Sequence, residues 1–122
     1  MKHLKKGRKF GRVKNQREAM LKTMLGSFIM EEKIETTLAK AKELKIMIDK
    51  IINKAKKTQV EARKVAVIRE LNNRLPAKAV KKLTGEFLGK FTERGSGYSR
   101  VIKLSPRKSD AAAMAVIEFV QN

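Results

Sequence analysis

Apolar side chains recur at three- and four-residue spacing through much of this chain. Met20, Leu21, Met24, Leu25, Phe28 and Ile29 form one broad stripe, which predicts a helix from about Asn15, a candidate cap, to about Met30. Its methionines are read as core packing rather than an adaptable groove. Arg17 and Lys22 lie off the stripe, so this helix buries one face and offers another to a partner. Lys33 to Thr37 carries β-branched Ile34 and two threonines, which favour a short strand. Thr37 is also placed to cap the next helix. From Leu38 to about Lys57 the stripe Ala41, Leu44, Ile48, Ile51 and Ala55, widened by Met47 and Ile52, predicts that second helix. Its many lysines fall mostly outside the stripe, opposed only by Glu43 and Asp49. Lys54, Lys56 and Lys57 suit the helix dipole without any ligand.

A third helix is expected from Val60 to Asn72, with Ala62, Val65, Ala66 and Leu71 inward and Asn72-Asn73 ending it. Pro76 then opens a fourth in the favoured first-turn position. That helix runs through Ala79, Val80 and Leu83 to about Leu88, with Gly85 inside it and Gly89 as the stop. Phe87 and Phe91 are expected to anchor it. After Gly95-Ser96-Gly97, residues 98–105 alternate as a strand: Tyr98, Arg100, Ile102 and Leu104 on one face, Ser99, Val101 and Lys103 on the other. Residues 105–110 read as a basic turn and 113–120 as a closing strand, with Ala115, Ile117 and Phe119 on one face. The last two strands pair most simply as a hairpin, which Ile34–Thr37 joins as a third strand. The expected fold is α+β in two layers, a small mixed sheet of about three strands covered by helices in the order α-β-α-α-α-β-β.

The first seventeen residues fit none of this. They hold eight cations (Lys2, Lys5, Lys6, Arg8, Lys9, Arg12, Lys14 and Arg17) and no acid. Only Leu4, Phe10 and Val13 offer apolar surface. Like-charge repulsion and so little burial leave the stretch unable to fold on its own. It can fold onto a polyanion, its cations releasing counterions and Gly7 and Gly11 allowing close backbone approach. It lacks the apolar core of a secretory signal and the serines of a mitochondrial presequence, so it is read as part of the working protein. Residues 1–14 are assigned to a basic arm and 15–122 to a single domain.

Charge sharpens the picture. The formal net charge is +18 over 122 residues, 30 basic against 12 acidic, which makes nucleic acid or another anionic surface the leading partner. The absence of cysteine excludes disulfides, thiolate nucleophiles and Cys-based zinc, and accords with a reducing cytoplasm. No apolar run is long enough to cross a bilayer. The single histidine, His3, sits in the arm, and Glu31-Glu32 is the only adjacent pair of acids, expected to be solvated. No phosphate-loop pattern is present, so neither an enzyme nor a cofactor or small-molecule substrate is expected. Tyr98, beside Arg100, either stacks on a base or packs in the hairpin. The basic turn contributes Arg107 and Lys108. A basic arm on a compact body favours shape and phosphate recognition of folded RNA. A DNA-compacting architectural protein explains the charge as well, but would need a minor-groove arm or wedge and usually a dimer. A membrane-surface protein would need a free amphipathic face.

The motifs also resemble a known family. Met1-Lys2-His3, Gly7-Arg8-Lys9, Arg12, Arg17 and Ala19 are followed by Thr36-Thr37 and Ala39-Lys40-Ala41-Lys42-Glu43-Leu44. Later come Gly95-Ser96-Gly97-Tyr98-Ser99-Arg100, Arg107 to Asp110, Met114-Ala115 and Ile117-Glu118. In this order and spacing they resemble the bacterial large-subunit ribosomal protein seventeen family along essentially the whole chain. Gln16, Thr23 and Ser96 depart from the pattern, where His, Asn and Gly are common. The resemblance implies a non-enzymatic ribosomal protein in the cytoplasm, bound to large-subunit ribosomal RNA. It would lie near the mouth of the nascent-chain tunnel, beside other large-subunit proteins. It implies RNA contact by Lys2, His3, Gly7, Arg8, Lys9, Arg12 and Arg17, with Tyr98, Arg100 and Arg107 as a second patch. The arm's other lysines (Lys5, Lys6 and Lys14), with Lys22 and Lys108, are added on charge and position.

Overall fold

The computed structural model describes residues 7–120. Helix α1 (Lys14–Glu31), strand β1 (Lys33–Thr37) and helix α2 (Leu38–Lys56) lead through a 3-10 turn (Lys57–Gln59) to α3 (Glu61–Arg74). Helix α4 (Ala77–Leu83) and a second 3-10 segment (Glu86–Phe91) precede strands β2 (Ser99–Lys103) and β3 (Met114–Phe119). The strand order is β1-β3-β2. Both pairings are antiparallel, so the sheet expected to be mixed is wholly antiparallel. The β2–β3 hairpin and the joining of β1 are as expected.

α2 is the centre of the helical layer, touching all three strands, α1, α3 and the Glu86–Phe91 segment. Its stripe of Ala41, Leu44, Ile48, Ile51, Ile52 and Ala55 is buried. The sheet answers with Ala115, Ile117 and Phe119 on β3. The face away from the helices carries the cross-strand rows Lys33–Glu118–Arg100 and Glu35–Val116–Ile102. An aromatic cluster closes the far end: Phe28 stacks on Phe119 with ring centroids 4.1 Å apart. Phe87 meets Phe119 edge-on at 5.1 Å. Phe91 meets Tyr98 edge-on at 5.5 Å.

Three expectations about the helices are corrected. Val13, not Asn15, precedes the first turn of α1, and neither it nor Thr37 caps its helix through a side chain. α3 is turned from the expected phase: Ala62, Val65 and Ala66 are exposed, while Val67, Leu71 and Leu75 are buried. The segment carries two overlapping apolar stripes, and the one continuing through Leu71 to Leu75 wins because it brings large leucines to the core. It also runs past Asn72-Asn73 to Arg74. α4 stops at Leu83, and Gly85 lies outside it, preceding the 3-10 segment whose Phe87, Leu88 and Phe91 are buried.

Two contacts fasten α1 to α4. Gly26 is buried in α1, where an added Cβ would lie 2.6 Å from Cγ of Pro76. A glycine that weakens the helix interior is thus what allows the two helices to approach. At its end, Glu32 takes φ 67° and its N–H donates to the Phe28 carbonyl. Its carboxylate accepts from Lys90 Nζ at 2.9 Å and Lys82 Nζ at 3.1 Å. Those bonds, Lys90's first, hold the Glu32 carboxyl below its ordinary value. Glu32 is therefore a fastener, where solvation of the Glu31-Glu32 pair was expected.

The loop from β2 to β3 is closed by its own ion pair. Arg107 Nε and Nη2 donate to the two carboxylate oxygens of Asp110 at 3.0 and 2.8 Å, and the Ala112 N–H donates to Asp110 Oδ1 at 3.2 Å. Ala111 adopts φ 57° there. The Arg107 hydrogen bonds, then that of Ala112, lower the Asp110 carboxyl to about 2.

Gly26→Val should lower stability by about 2 kcal/mol through overpacking against Pro76, and Pro76→Ala in the same chain should recover part of it. A variant melting at or above the parent temperature would refute the close approach. Leu44→Asp or Ile48→Asp, each placing a carboxylate where the parent side chain is fully buried, should cost about 4 kcal/mol or more in denaturant unfolding. Asp110 titrates below the ordinary 3.8, so its pairing supports the loop above that pH and is lost as pH falls through about 2. Carboxyl NMR should place the midpoint near the lower value, and Arg107→Leu should return it toward the ordinary one.

Candidate nucleic-acid interface

The described part of the arm doubles back on the body. Phe10 and Gly11 take φ 54° and 60°, and the Arg12 N–H donates to the Lys9 carbonyl at 3.2 Å. Two successive left-handed residues under such a bond make a primed turn, which Gly11 adopts freely and Phe10 only at a steric cost. The Phe10 ring is half-buried against the core. Arg12 donates to the Phe10 carbonyl at 2.9 Å. One residue before the turn, Arg8 Nη1 reaches Glu43 of α2 at 3.4 Å. Val13 stays exposed.

This course leaves a cleft of about 820 Å³ between the arm, α1, α2 and the end of α3. Of the residues singled out from the sequence, Gly7, Arg8, Lys9, Arg17 and Lys22 line it together. Arg12 and Lys14 are exposed beside it but do not line it. Lys2, His3, Lys5 and Lys6 lie outside the described residues. Sequence patterning did not single out Lys50 of α2, nor Asn73 and Arg74 of α3, which also line the cleft. Lys50 was one of many helical lysines, and Asn73 was read as a helix stop. Only the crossing of α2 and α3 shows that they share a wall.

The acids of α2 are spent on tertiary contacts rather than on its own lysines. Glu43 meets Arg8, and Asp49 accepts the backbone N–H of Tyr98 at 3.2 Å. Lys54 pairs with Glu70 at 2.6 Å, which lowers the Glu70 carboxyl. Lys56 donates to the Tyr98 hydroxyl at 2.8 Å and to the Arg94 carbonyl. Among the described residues, Arg17, Lys22, Lys50 and Arg74 have no ion-pair partner within 4.0 Å.

The second expected patch does not join this cleft, and its members are engaged internally. Tyr98 is fully buried, its hydroxyl 2.5 Å from Asn53 Oδ1 and 3.0 Å from the Arg94 carbonyl. Of the two alternatives for this ring, the structure takes packing. It stands just before β2, where Gly97 at φ 67° bends the chain, so strand alternation with Arg100 does not govern it. Arg100 Nε donates to Glu118 at 2.8 Å, which lowers the Glu118 carboxyl. Arg107 holds Asp110, while Lys108 is exposed. Among the described residues no group of three or more His, Cys, Asp or Glu could hold a metal. None of the described helices is long and apolar enough to cross a membrane.

Residues 20–120 match the family model of ribosomal protein L17. The chain is 43% identical over 121 residues to the large ribosomal subunit protein bL17 of Thermodesulfovibrio yellowstonii, covering 98% of this chain and 87% of that one. It is 40% identical over 116 residues to the bL17 of Shouchella clausii, covering 92% of this chain and 97% of that protein. Against the longer bL17 of Chlorobium phaeovibrioides it is 43% identical over 120 residues, covering 98% of this chain and 66% of that one. A model match over most of the domain, with relatives this similar across nearly the whole length, shows that the chain belongs to the ribosomal protein L17 family.

Proposed function

We propose that the chain is a non-enzymatic structural constituent of the large subunit of the bacterial ribosome, held in the cytoplasm on large-subunit ribosomal RNA. The basic arm, residues 1–14, and the basic faces of the domain, residues 15–122, make the RNA contacts. The observation that carries this reading is the convergence of unpaired cations from α1, α2 and α3 on the cleft beside the arm. Like charges gathered on one concave surface repel until an anion is seated there, and a phosphate backbone is the anion that also matches a net charge of +18. Lys2, His3, Lys5 and Lys6 extend the same contact by sequence position, with Arg12 and Lys14 on the cleft's margin. Arg100, Arg107 and Lys108 would add a weaker second contact, two of them only by sharing charge already committed to Glu118 and Asp110. Neighbouring large-subunit proteins near the tunnel exit complete the reading. Exposed Ile102 and Leu104 on and beside β2 support a protein neighbour.

Deleting residues 2–14 removes seven cations and should weaken binding to large-subunit RNA while shallowing the salt dependence. Interfaces with six to ten phosphate contacts lose roughly a thousandfold or more between low and moderate salt, so the change is large enough to measure. Replacing Arg8 and Arg12 by Lys keeps the charge but removes the planar fork, and should lower affinity at an almost unchanged salt slope. Full affinity and slope after the deletion would dismiss the arm as an RNA contact. Failure of the parent chain to co-sediment with large subunits in moderate salt would dismiss the ribosomal reading and favour a DNA-compacting role.

A further inference from the structure

The cleft holds more than charge. Its floor is apolar: half-buried Met47 of α2 and the edge of Leu21 of α1 are the surface left open, above Leu25 and Ile51, which are 1% and 2% exposed. Lys22, Lys50 and Arg74 stand on its walls, and so do the amides of Asn15 and Asn73. A site for bare phosphate has no use for an apolar floor, and a site for an apolar side chain has no use for gathered cations. A nucleotide needs both, because its base face is apolar, its base edge carries donors and acceptors, and its flanking phosphates are anionic. The volume of about 820 Å³ falls within the roughly 300–1,000 Å³ of small-ligand sites. That is room for one extruded nucleotide and not for a duplex.

We infer that the cleft seats a single nucleotide turned out of the RNA, its base against Met47 and the edge of Leu21 and its flanking phosphates on Lys22, Lys50 and Arg74. The inference rests on the RNA-binding reading above. Two acids also line the cleft. Glu43 is engaged by Arg8, whereas Glu18 is an exposed carboxylate on the same wall. A carboxylate only accepts, whereas the amides of Asn15 and Asn73 both donate and accept. The lining can therefore pair with the edge of any base, since each base offers at least one N–H donor and one acceptor. The arm forms one wall through Gly7, Arg8 and Lys9, so the turn at Phe10-Gly11 shapes the seat as well as supplying charge.

The test uses the full-length chain and large-subunit RNA, with base-specific chemical probing of the Watson–Crick edges. The parent chain should protect one unpaired base, and Asn73→Ala should restore that base's reactivity. Lys50→Ala with Arg74→Ala should weaken binding and reduce the salt slope by roughly 0.7 to 0.9 for each cation removed. Both residues are exposed and without ion-pair partners among the described residues, so circular dichroism should report an unchanged fold. A third variant, with Lys2, Lys5 and Lys6 all changed to Ala, reports on the arm alone. If it weakens binding while the Lys50 and Arg74 pair does not, the cleft inference is overturned and RNA binding by the arm stands. If neither variant changes binding, the RNA-binding reading fails with it. If the Lys50 and Arg74 pair weakens binding but no single base is protected, the cleft takes phosphate only and the extruded nucleotide is refuted.

Discussion

Ala41, Leu44, Ile48, Ile51, Ile52 and Ala55 leave water on one side of α2, and every other layer is placed by how it covers them. The sheet lies across part of the stripe, α1 and α3 across the rest, and the Glu86–Phe91 segment closes the aromatic end. Each large side chain fully buried in this way contributes about 1.5–3 kcal/mol. No other element touches so many partners, so the register of α2 sets the positions of all of them. It also fixes its two acids. Glu43 faces the arm and holds Arg8, while Asp49 faces the other end and accepts the Tyr98 N–H. One packed helix thereby places both the basic arm and the turn before β2.

Charge is distributed by the same frame. Six carboxylates make particular contacts: Glu32 with Lys82 and Lys90, Glu43 with Arg8, Glu70 with Lys54, Glu118 with Arg100 and Lys33, Asp110 with Arg107, and Asp49 with backbone. Exposed pairs of this kind stabilise little, about 0–1 kcal/mol each. Their effect is positional. They fix particular cations on the sheet, on α4 and along α2. Arg17, Lys22, Lys50 and Arg74, where α1, α2 and α3 meet the arm, have no ion-pair partner among the described residues, and neither do Lys40, Lys42, Lys45, Lys78 and Lys81 elsewhere on the surface. A concave surface lined by more cations than acids focuses the field and draws in a polyanion.

The aromatic cluster shows how composition constrains a small, strongly charged chain. With aromatic residues at only 5% of the sequence, four of the five phenylalanines and the only tyrosine are gathered at one end of the core. Phe10 is the exception, half-buried at the turn of the arm itself. Any other aromatic ring would have to come out of this core to stack on RNA. The structure instead closes Tyr98 under Lys56, whose Nζ lies 4.6 Å from the ring centroid. RNA recognition therefore falls to cations, amides and aliphatic surface.

Wherever one periodicity dominated, the sequence by itself was enough: α1, α2 and the β2–β3 hairpin come from apolar spacing, because a helix or strand with a single apolar face has one way to bury it. β1 comes from the β-branched side chains of Ile34, Thr36 and Thr37. The eight cations without an acid stand out in the sequence, but the course of the stretch does not. Lys14 and Arg17 belong to α1, and the turn at Phe10-Gly11 with Arg8 on Glu43 lays the preceding residues on the body. The phase of α3 was not legible either, because Ala62-Val65-Ala66 and Val67-Leu71-Leu75 are both acceptable stripes, and only packing against α2 and α4 selects the second. Nor could Gly26 be read as a contact, since its meaning lies in the ring of Pro76, distant along the chain. Alternation placed Tyr98 with Arg100, but the bend at Gly97 turned the ring under α2, where Asn53, Lys56 and the Arg94 carbonyl satisfy its hydroxyl. The cleft belongs to the same class. Arg17 and Lys22 stand out along the chain, but Lys50 and Arg74 are ordinary surface cations there, and it takes the crossing of three helices to bring all four to one wall.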